Sequence, residues 1–293
     1  MSAVPVDILL TPQSPSTLGE GTAWWRSVER LVTVDIAEGR VKFFDPLAGH
    51  EDAIDLGGEV SAVVPRRRGG MIAAVGGQLR AYDRDGQIER TWDVELDTEA
   101  NRLNDCRSDT AGRLWAGTMS RLRTPDQAAL YRLDGDGKVS VAIAPTTLSN
   151  GLAWSPDDTR LYFVDSTTYR VDVLDYDIRT GSISNRRPFA VIDERDGLPD
   201  GLTVDADGGV WLALFGGGAV RRYSPSGELT HHIALPVTNP TCPAFGGPDL
   251  DTLFVTSARI KLTEEQLSRE PAGALLALAV PGHRGLPANE CAL

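Results

Sequence analysis

The sequence predicts an all-β chain wound into a six-bladed β-propeller. Three observations carry that expectation: a turn-plus-strand unit recurs six times, a second strand unit follows each copy, and apolar residues alternate with period two. No long segment shows the helical period. The first unit opens as Glu29-Arg30-Leu31-Val32-Thr33-Val34-Asp35 and returns as Gly70-Met71-Ile72-Ala73-Ala74 and Gly112-Arg113-Leu114-Trp115-Ala116-Gly117. The later copies are Arg160-Leu161-Tyr162-Phe163-Val164-Asp165, Gly209-Val210-Trp211-Leu212-Ala213 and Thr252-Leu253-Phe254-Val255-Thr256. With Leu31, Ile72, Leu114, Leu161, Val210 and Leu253 as markers, the intervals are 41, 42, 47, 49 and 43 residues.

The second units read Arg40 to Pro46, Gln78 to Asp83, Ala129 to Asp134, Arg170 to Asp175, Ala219 to Ser224 and Gly273 to Leu278. Several run into hairpin turn chemistry, as at Asp85-Gly86, Asp136-Gly137 and Ser226-Gly227. The stretch Val4 to Leu10 has no repeat of its own. It is expected to supply the outer strand of the last blade and so close the ring without an exposed edge. A sandwich would not repeat a two-strand motif six times, so residues 1–293 are expected to form one propeller domain.

Composition excludes several function classes. The net charge is −12, with 41 acidic residues against 29 basic, and no basic face is available for nucleic acid. The one basic cluster, Arg66-Arg67-Arg68 before Gly69-Gly70, reads as a solvated turn. No segment has the apolar length of a membrane span, so no membrane partner is expected. Met1 to Thr11 lacks the basic segment and apolar block of a signal peptide, and the expected compartment is the cytoplasm. Cys106, Cys242 and Cys291 are odd in number and widely spaced, which argues against a disulfide framework or a thiolate zinc site.

In a propeller the innermost strand of each blade faces the axis. Those strands precede the first repeated units, and their apolar tails align Glu20, Ser61, Asn104, Asn150, Asp200 and Thr241 at one level. Glycine follows three of these, in Glu20-Gly21, Asn150-Gly151 and Asp200-Gly201, where backbones crowd or take conformations closed to other residues. Two carboxylates and two carboxamides from four blades make an all-oxygen cage that repels itself when empty. One hard divalent cation resolves the conflict, and such donors suit Ca²⁺, Mg²⁺ or Mn²⁺ better than Zn²⁺. Arg102 shares the parity of Asn104 and should also face the cavity, either as a carboxylate's partner or as a substrate clamp.

Other conspicuous residues take structural readings. Trp24, Trp115, Trp154 and Trp211 belong to the core, and Asp35 and Asp165 tie down turns at equivalent strand ends. His50, His231, His232 and His283 all lie off the inner strands, which argues against a Ser/His or Cys/His nucleophile system. Cys106 and Cys242 are expected to be buried thiols.

The inner-strand motifs resemble those of the senescence marker protein/gluconolactonase/luciferin-regenerating enzyme family, the regucalcin-like proteins. They are Leu18-Gly19-Glu20-Gly21, Asn101-Arg102-Leu103-Asn104-Asp105, Leu148-Ser149-Asn150-Gly151 through Asp157, and Leu198-Pro199-Asp200-Gly201-Leu202. Ala116-Gly117-Thr118-Met119 and Ala244-Phe245-Gly246-Gly247-Pro248-Asp249 belong to the same pattern. The resemblance runs from about residue 18 to about residue 285 and implies one divalent metal held by Glu20, Asn150 and Asp200, with Asn104 at or next to it. It implies that Arg102 and Asn104 contact substrate and that Asp200 is the general base. It implies hydrolysis of an aldonolactone such as gluconolactone, with Ca²⁺, Zn²⁺, Mn²⁺ or Mg²⁺. The sequence departs from the pattern after Gly117-Thr118-Met119. Family members often carry a glutamate there that contacts sugar hydroxyls, and Ser120 to Gln127 has none.

The expected chemistry is acyl transfer to water at a polarised carbonyl, with Asp200 taking the proton or serving only as a ligand. Phosphotriester hydrolysis at the same site and a non-enzymatic binding platform are the rival readings.

Overall fold

The computed structural model describes residues 6–293, and six four-stranded antiparallel sheets account for its strands. Blades one to five are meanders of consecutive strands, starting at the inner strands Gly19–Trp25, Val60–Pro65, Asn101–Ser108, Ser149–Trp154 and Leu198–Val204. Blade six is built from Pro240–Gly246, Thr252–Ser257 and Leu276–Ala279, and its outer strand is Ile8–Leu10 from the other end of the chain. Ile8, Leu9 and Leu10 pair with Leu278, Ala277 and Leu276. The closure expected of the Val4 to Leu10 stretch is thus present at Ile8–Leu10; Val4 and Pro5 lie outside the described residues. Each inner strand packs beside the next around the axis, the first against the sixth included. The sequence-based expectation of a six-bladed propeller holds.

Burial follows position within the blade. Gly19–Trp25 and Val60–Pro65 are buried along their whole length, whereas the outer strand His50–Asp55 is almost wholly solvent-facing. Apolar side chains therefore gather between adjacent sheets rather than in one central core. Trp115 and Trp154 meet edge to face at 5.9 Å between blades three and four, beside Leu130, Leu161 and Phe163. Trp211 fills the gap between blades five and six with Leu253 and Val255, and Trp24 packs on Leu31, Phe44 and Phe254. All four tryptophans are core, as their place in the repeats predicts.

The repeat extends to hydrogen bonds. Trp115 Nε1 donates to Asp109 at 3.1 Å and Trp211 Nε1 to Asp205 at 2.9 Å, each across the same sequence offset. Asp35 accepts the backbone N–H groups of Thr17 and Leu18, and Asp165 accepts those of Thr147 and Leu148. These two aspartates tie down the segments that lead into the inner strands of blades one and four.

One expectation is corrected. Arg66 does not sit in a solvated turn: it is buried, donates to Tyr82 O and Leu293 O, and pairs with Glu89 at 2.6 Å. It fastens the C-terminal segment to blade two, and only Arg67 and Arg68 face solvent. Cys106, Cys242 and Cys291 are free and buried. Among the described residues no helix is long and apolar enough to cross a membrane.

Candidate metal and substrate site

All six inner strands carry a register irregularity at the same place. It lies between Glu20 and Ala23, Val60 and Ala62, Leu103 and Cys106, Ser149 and Leu152, Pro199 and Leu202, and Pro240 and Pro243. Glu20, Ser61, Asn104, Asn150, Asp200 and Thr241 stand at or inside these bulges. A bulge turns a side chain out of strict alternation, and six in register turn six side chains to one level of the channel. Glycine makes the geometry possible. Gly21 has φ +64°, and a Cβ on Gly151 would stand 2.7 Å from the backbone oxygen of Asp200 in the next blade.

Two of the six polar residues close the ring rather than open toward a ligand. Ser61 Oγ donates to Asn104 O at 2.9 Å, and Thr241 Oγ1 donates to Gly19 O at 2.6 Å. Each stitches neighbouring inner strands together. The other four remain for chemistry.

Glu20 and Asp200 are buried carboxyl groups whose pKa values stand well above the ordinary range. Burial is the main cause for both. For Glu20 the negative charges of Asp200 and Asp105 add to it; for Asp200 the charge of Asp105 does so, opposed by Arg123, Arg102 and Lys261. Glu20 accepts one hydrogen bond, from its neighbour Gly21 N at 3.2 Å. No described residue donates a hydrogen bond to the Asp200 carboxylate. Asp105 is a third buried carboxyl near the pair that the sequence reading did not single out.

The amides are locked in a relay. Arg102 Nη1 donates to Asn104 Oδ1 at 2.9 Å, Asn104 Nδ2 donates to Asn150 Oδ1 at 2.5 Å, and Asn150 Nδ2 donates to Ser166 Oγ at 2.7 Å. Arg102 also donates to Leu103 O, and Asn104 to Ser149 O. Asn104 thus has its oxygen engaged by Arg102 and its nitrogen engaged twice. The Asn150 oxygen is engaged in turn by Asn104, so in this arrangement the carboxyl groups of Glu20 and Asp200 are the open oxygen donors of the expected four-oxygen cage. Ser166, in the 3-10 turn Ser166–Thr168 after the second strand of blade four, fixes the Asn150 amide so that its oxygen faces Asn104. No sequence signal marks Ser166.

The donor chemistry fits a divalent cation. Two buried carboxyl groups with little hydrogen bonding repel each other and lack compensation, and a hard cation supplies it. Among the described residues no three His, Cys, Asp or Glu side chains form a metal cluster. The fit rests on the two carboxyl groups, Glu20 and Asp200.

The family model for the SMP-30/Gluconolactonase/LRE-like region matches residues 18–259, a span that contains all six inner strands. The chain belongs to this family. Regucalcin from Oryctolagus cuniculus is 35% identical over 295 residues, which cover 98% of each chain. The structure of a luciferin-regenerating enzyme aligns with a TM-score of 0.91 and 30% identity, over 99% of this chain and 100% of that one. A calcium-binding protein, regucalcin from Agrobacterium tumefaciens, aligns with a TM-score of 0.92 and 29% identity over 100% of both chains. Membership of the gluconolactonase and regucalcin family supports a lactonase-type function.

Beside these family motifs, the channel mouth has a carboxylate that the sequence reading missed. The segment after Gly117-Thr118-Met119 lacks a glutamate, but Glu59, at the start of blade two, accepts hydrogen bonds from both terminal nitrogens of Arg121. It also lies 3.9 Å from Arg102 Nε. The Arg121 hydrogen bond, together with the Arg102 and Arg121 charges, holds the Glu59 carboxyl below its usual range despite partial burial. Arg123 and Lys261 stand near Asp200 and near each other, and Lys261 Nζ lies 5.8 Å from the Phe215 ring. Neither has a carboxylate within ion-pair distance among the described residues. Arg102, Arg121, Arg123 and Lys261 thus bring positive charge to the surroundings of Glu59 and Asp200.

Proposed function

We propose that this chain is a divalent-metal-dependent lactonase, a single propeller domain over 1–293 that opens a small aldonolactone. The observation that carries the reading is the pair of buried, poorly compensated carboxyl groups, Glu20 and Asp200, in the channel of a gluconolactonase-family chain. Glu20, Asn150 and Asp200 would hold the cation, with Ca²⁺ first among Ca²⁺, Mg²⁺, Mn²⁺ and Zn²⁺ on the all-oxygen donor set and the calcium-binding relative. When bound, the cation supplies Lewis-acid polarisation of the lactone carbonyl, an effect of several kcal/mol.

The protein's own side chains do the rest. Arg102, held by Asn104 Oδ1 and Leu103 O, orients the lactone, and Asn104 positions Arg102. Asp200 holds the attacking water and takes its proton at a carboxylate oxygen. The water oxygen bonds to the carbonyl carbon, the ring C–O bond breaks, and the proton passes to the departing alkoxide to give a hydroxy acid. A base must be ionised, and Arg123, Arg102 and Lys261 oppose the burial that would keep Asp200 protonated. The same cations favour a lactone that carries an anionic group. A pH-indicator assay over neutral lactones, anionic lactones and phosphotriesters, with and without chelator, tests the reading. Chelator-sensitive lactone opening is expected; turnover of phosphotriesters alone would replace it with the rival hydrolase.

A further inference from the structure

The channel has a second mouth. On the first inner strand Trp24 lies four residues beyond Glu20, past the bulge. At that depth a cavity of about 290 Å³ opens, walled by Trp24, Val63, Trp154 and Phe245 and by Leu286 and Pro287 of the C-terminal segment. None of Glu20, Asn104, Asn150 or Asp200 lines it. The C-terminal wall is tied in place: Asn289 Nδ2 donates to Ser108 O at 3.1 Å, and Cys291 N donates to Pro65 O at 2.7 Å. The cavity is therefore preformed.

Arg107 lines this space among apolar side chains. It is partly buried, and its Nη2 donates to Thr22 O at 3.0 Å and to Cys242 Sγ at 3.3 Å, across the channel. Both contacts use one nitrogen. Among the described residues Nε and Nη1 have no acceptor, and no carboxylate lies within ion-pair distance. The other charged lining residue is Asp158, whose Oδ2 is engaged by Thr110 Oγ1 at 2.7 Å. Burial raises the pKa of the Asp105 carboxyl, and the Arg107 charge opposes that without a direct ion pair, which leaves Nε and Nη1 open.

We propose that this mouth is a second ligand site, taking a small carboxylate with an aromatic or branched apolar body, its carboxylate on Arg107. The free Nε–H and Nη1–H donors point to different sides of the guanidinium, so either can give a carboxylate one charge-assisted hydrogen bond, and tryptophan and phenylalanine walls match an apolar body. The volume is at the small end of ligand pockets, which suits a ligand of benzoate's size and excludes a nucleotide. The site stands independently of the lactonase reading.

Calorimetric titration of the full chain with benzoate, and with benzamide as its neutral counterpart, tests it. The expected result is one benzoate site, at least about tenfold tighter than benzamide, as a charge-assisted pair requires. Arg107→Met should abolish the preference, while Asp200→Asn should leave benzoate binding as in the wild type. If Arg107→Met does not fold, Ala153→Trp, which fills the cavity and keeps the guanidinium, should abolish binding instead. Equal affinity for the two probes overturns the proposal, as does benzoate binding that survives both variants. So does the absence of benzoate binding up to about 10 mM.

Discussion

Asn104 Nδ2 donates to Asn150 Oδ1 at 2.5 Å across the junction of blades three and four. That contact links Arg102, through Asn104, to the Asn150 amide of the next blade. It makes Asn104 a positioning group for both, and it extends the site's support to Ser166.

Ser166→Ala should release the Asn150 amide and weaken metal binding about tenfold, within the range for groups that orient ligands. Calorimetric titration of the chelated protein with Ca²⁺ reads this out. Unchanged affinity would show that Ser166 leaves the Asn150 oxygen as it was.

The stability of the metal-free chain should depend on pH in a stated direction. Glu20 and Asp200 have raised pKa values because burial, with negative neighbours, disfavours their ionised forms. A group whose folded pKa is raised stabilises the fold fully below its unfolded value, and that contribution is lost as pH rises through the folded value. In chelator, Tm should therefore fall as pH climbs from the ordinary carboxylate range. Excess Ca²⁺, which binds the ionised forms, should remove the fall. A Tm in chelator that holds level over this window contradicts the assignment.

Most of the fold was legible in the sequence, because a propeller writes each blade as a separate copy. The six strand pairs, the closure through Ile8–Leu10 and the four core tryptophans all follow from the repeat. Glu20, Asn104, Asn150 and Asp200 were legible as repeat-equivalent polar residues, and the glycines beside them marked backbone crowding. What supports them was not. Ser166 lies in a turn, Glu59 just before the inner strand of another blade, and Lys261 in the loop between two strands of blade six, so no spacing rule connects them to the site. Arg66 misled because an Arg-Arg-Arg run looks solvated, and its burial depends on a C-terminal carbonyl 227 residues away.

Selection of substrate should depend on the cationic mouth. Arg123→Ala and Lys261→Ala should each lower kcat/KM for carboxylate-bearing lactones about tenfold while changing neutral lactones little, the size of one charge-assisted contact. Steady-state rates over a matched pair of lactones decide it. Equal losses on both would remove these residues from selection.

Asp205 should matter for stability alone. It is fully buried, accepts Trp211 Nε1 and Gly209 N, and pairs with Arg222 at 2.7 Å. Asp205→Ala strands a buried guanidinium and should cost about 3–5 kcal/mol in urea unfolding. Calcium affinity of the folded fraction should be unchanged; a large loss would link this blade's core to the channel site.

The central claim is that Glu20, Asn150 and Asp200 hold a cation needed for lactone opening and that Asp200 also takes the proton. The direct measurement is the lactone-opening rate against added divalent metal, for the wild type and for Asp200→Asn, each starting from the chelated protein. The wild type should be inactive in chelator and regain its rate on titration. Asp200→Asn keeps an oxygen that reaches the cation, so it should saturate at higher metal yet remain at least about a hundredfold slow, the contribution of a general base. A saturated variant at the wild-type rate would reduce Asp200 to a ligand, and a chelated wild type that still opens lactones would contradict the account.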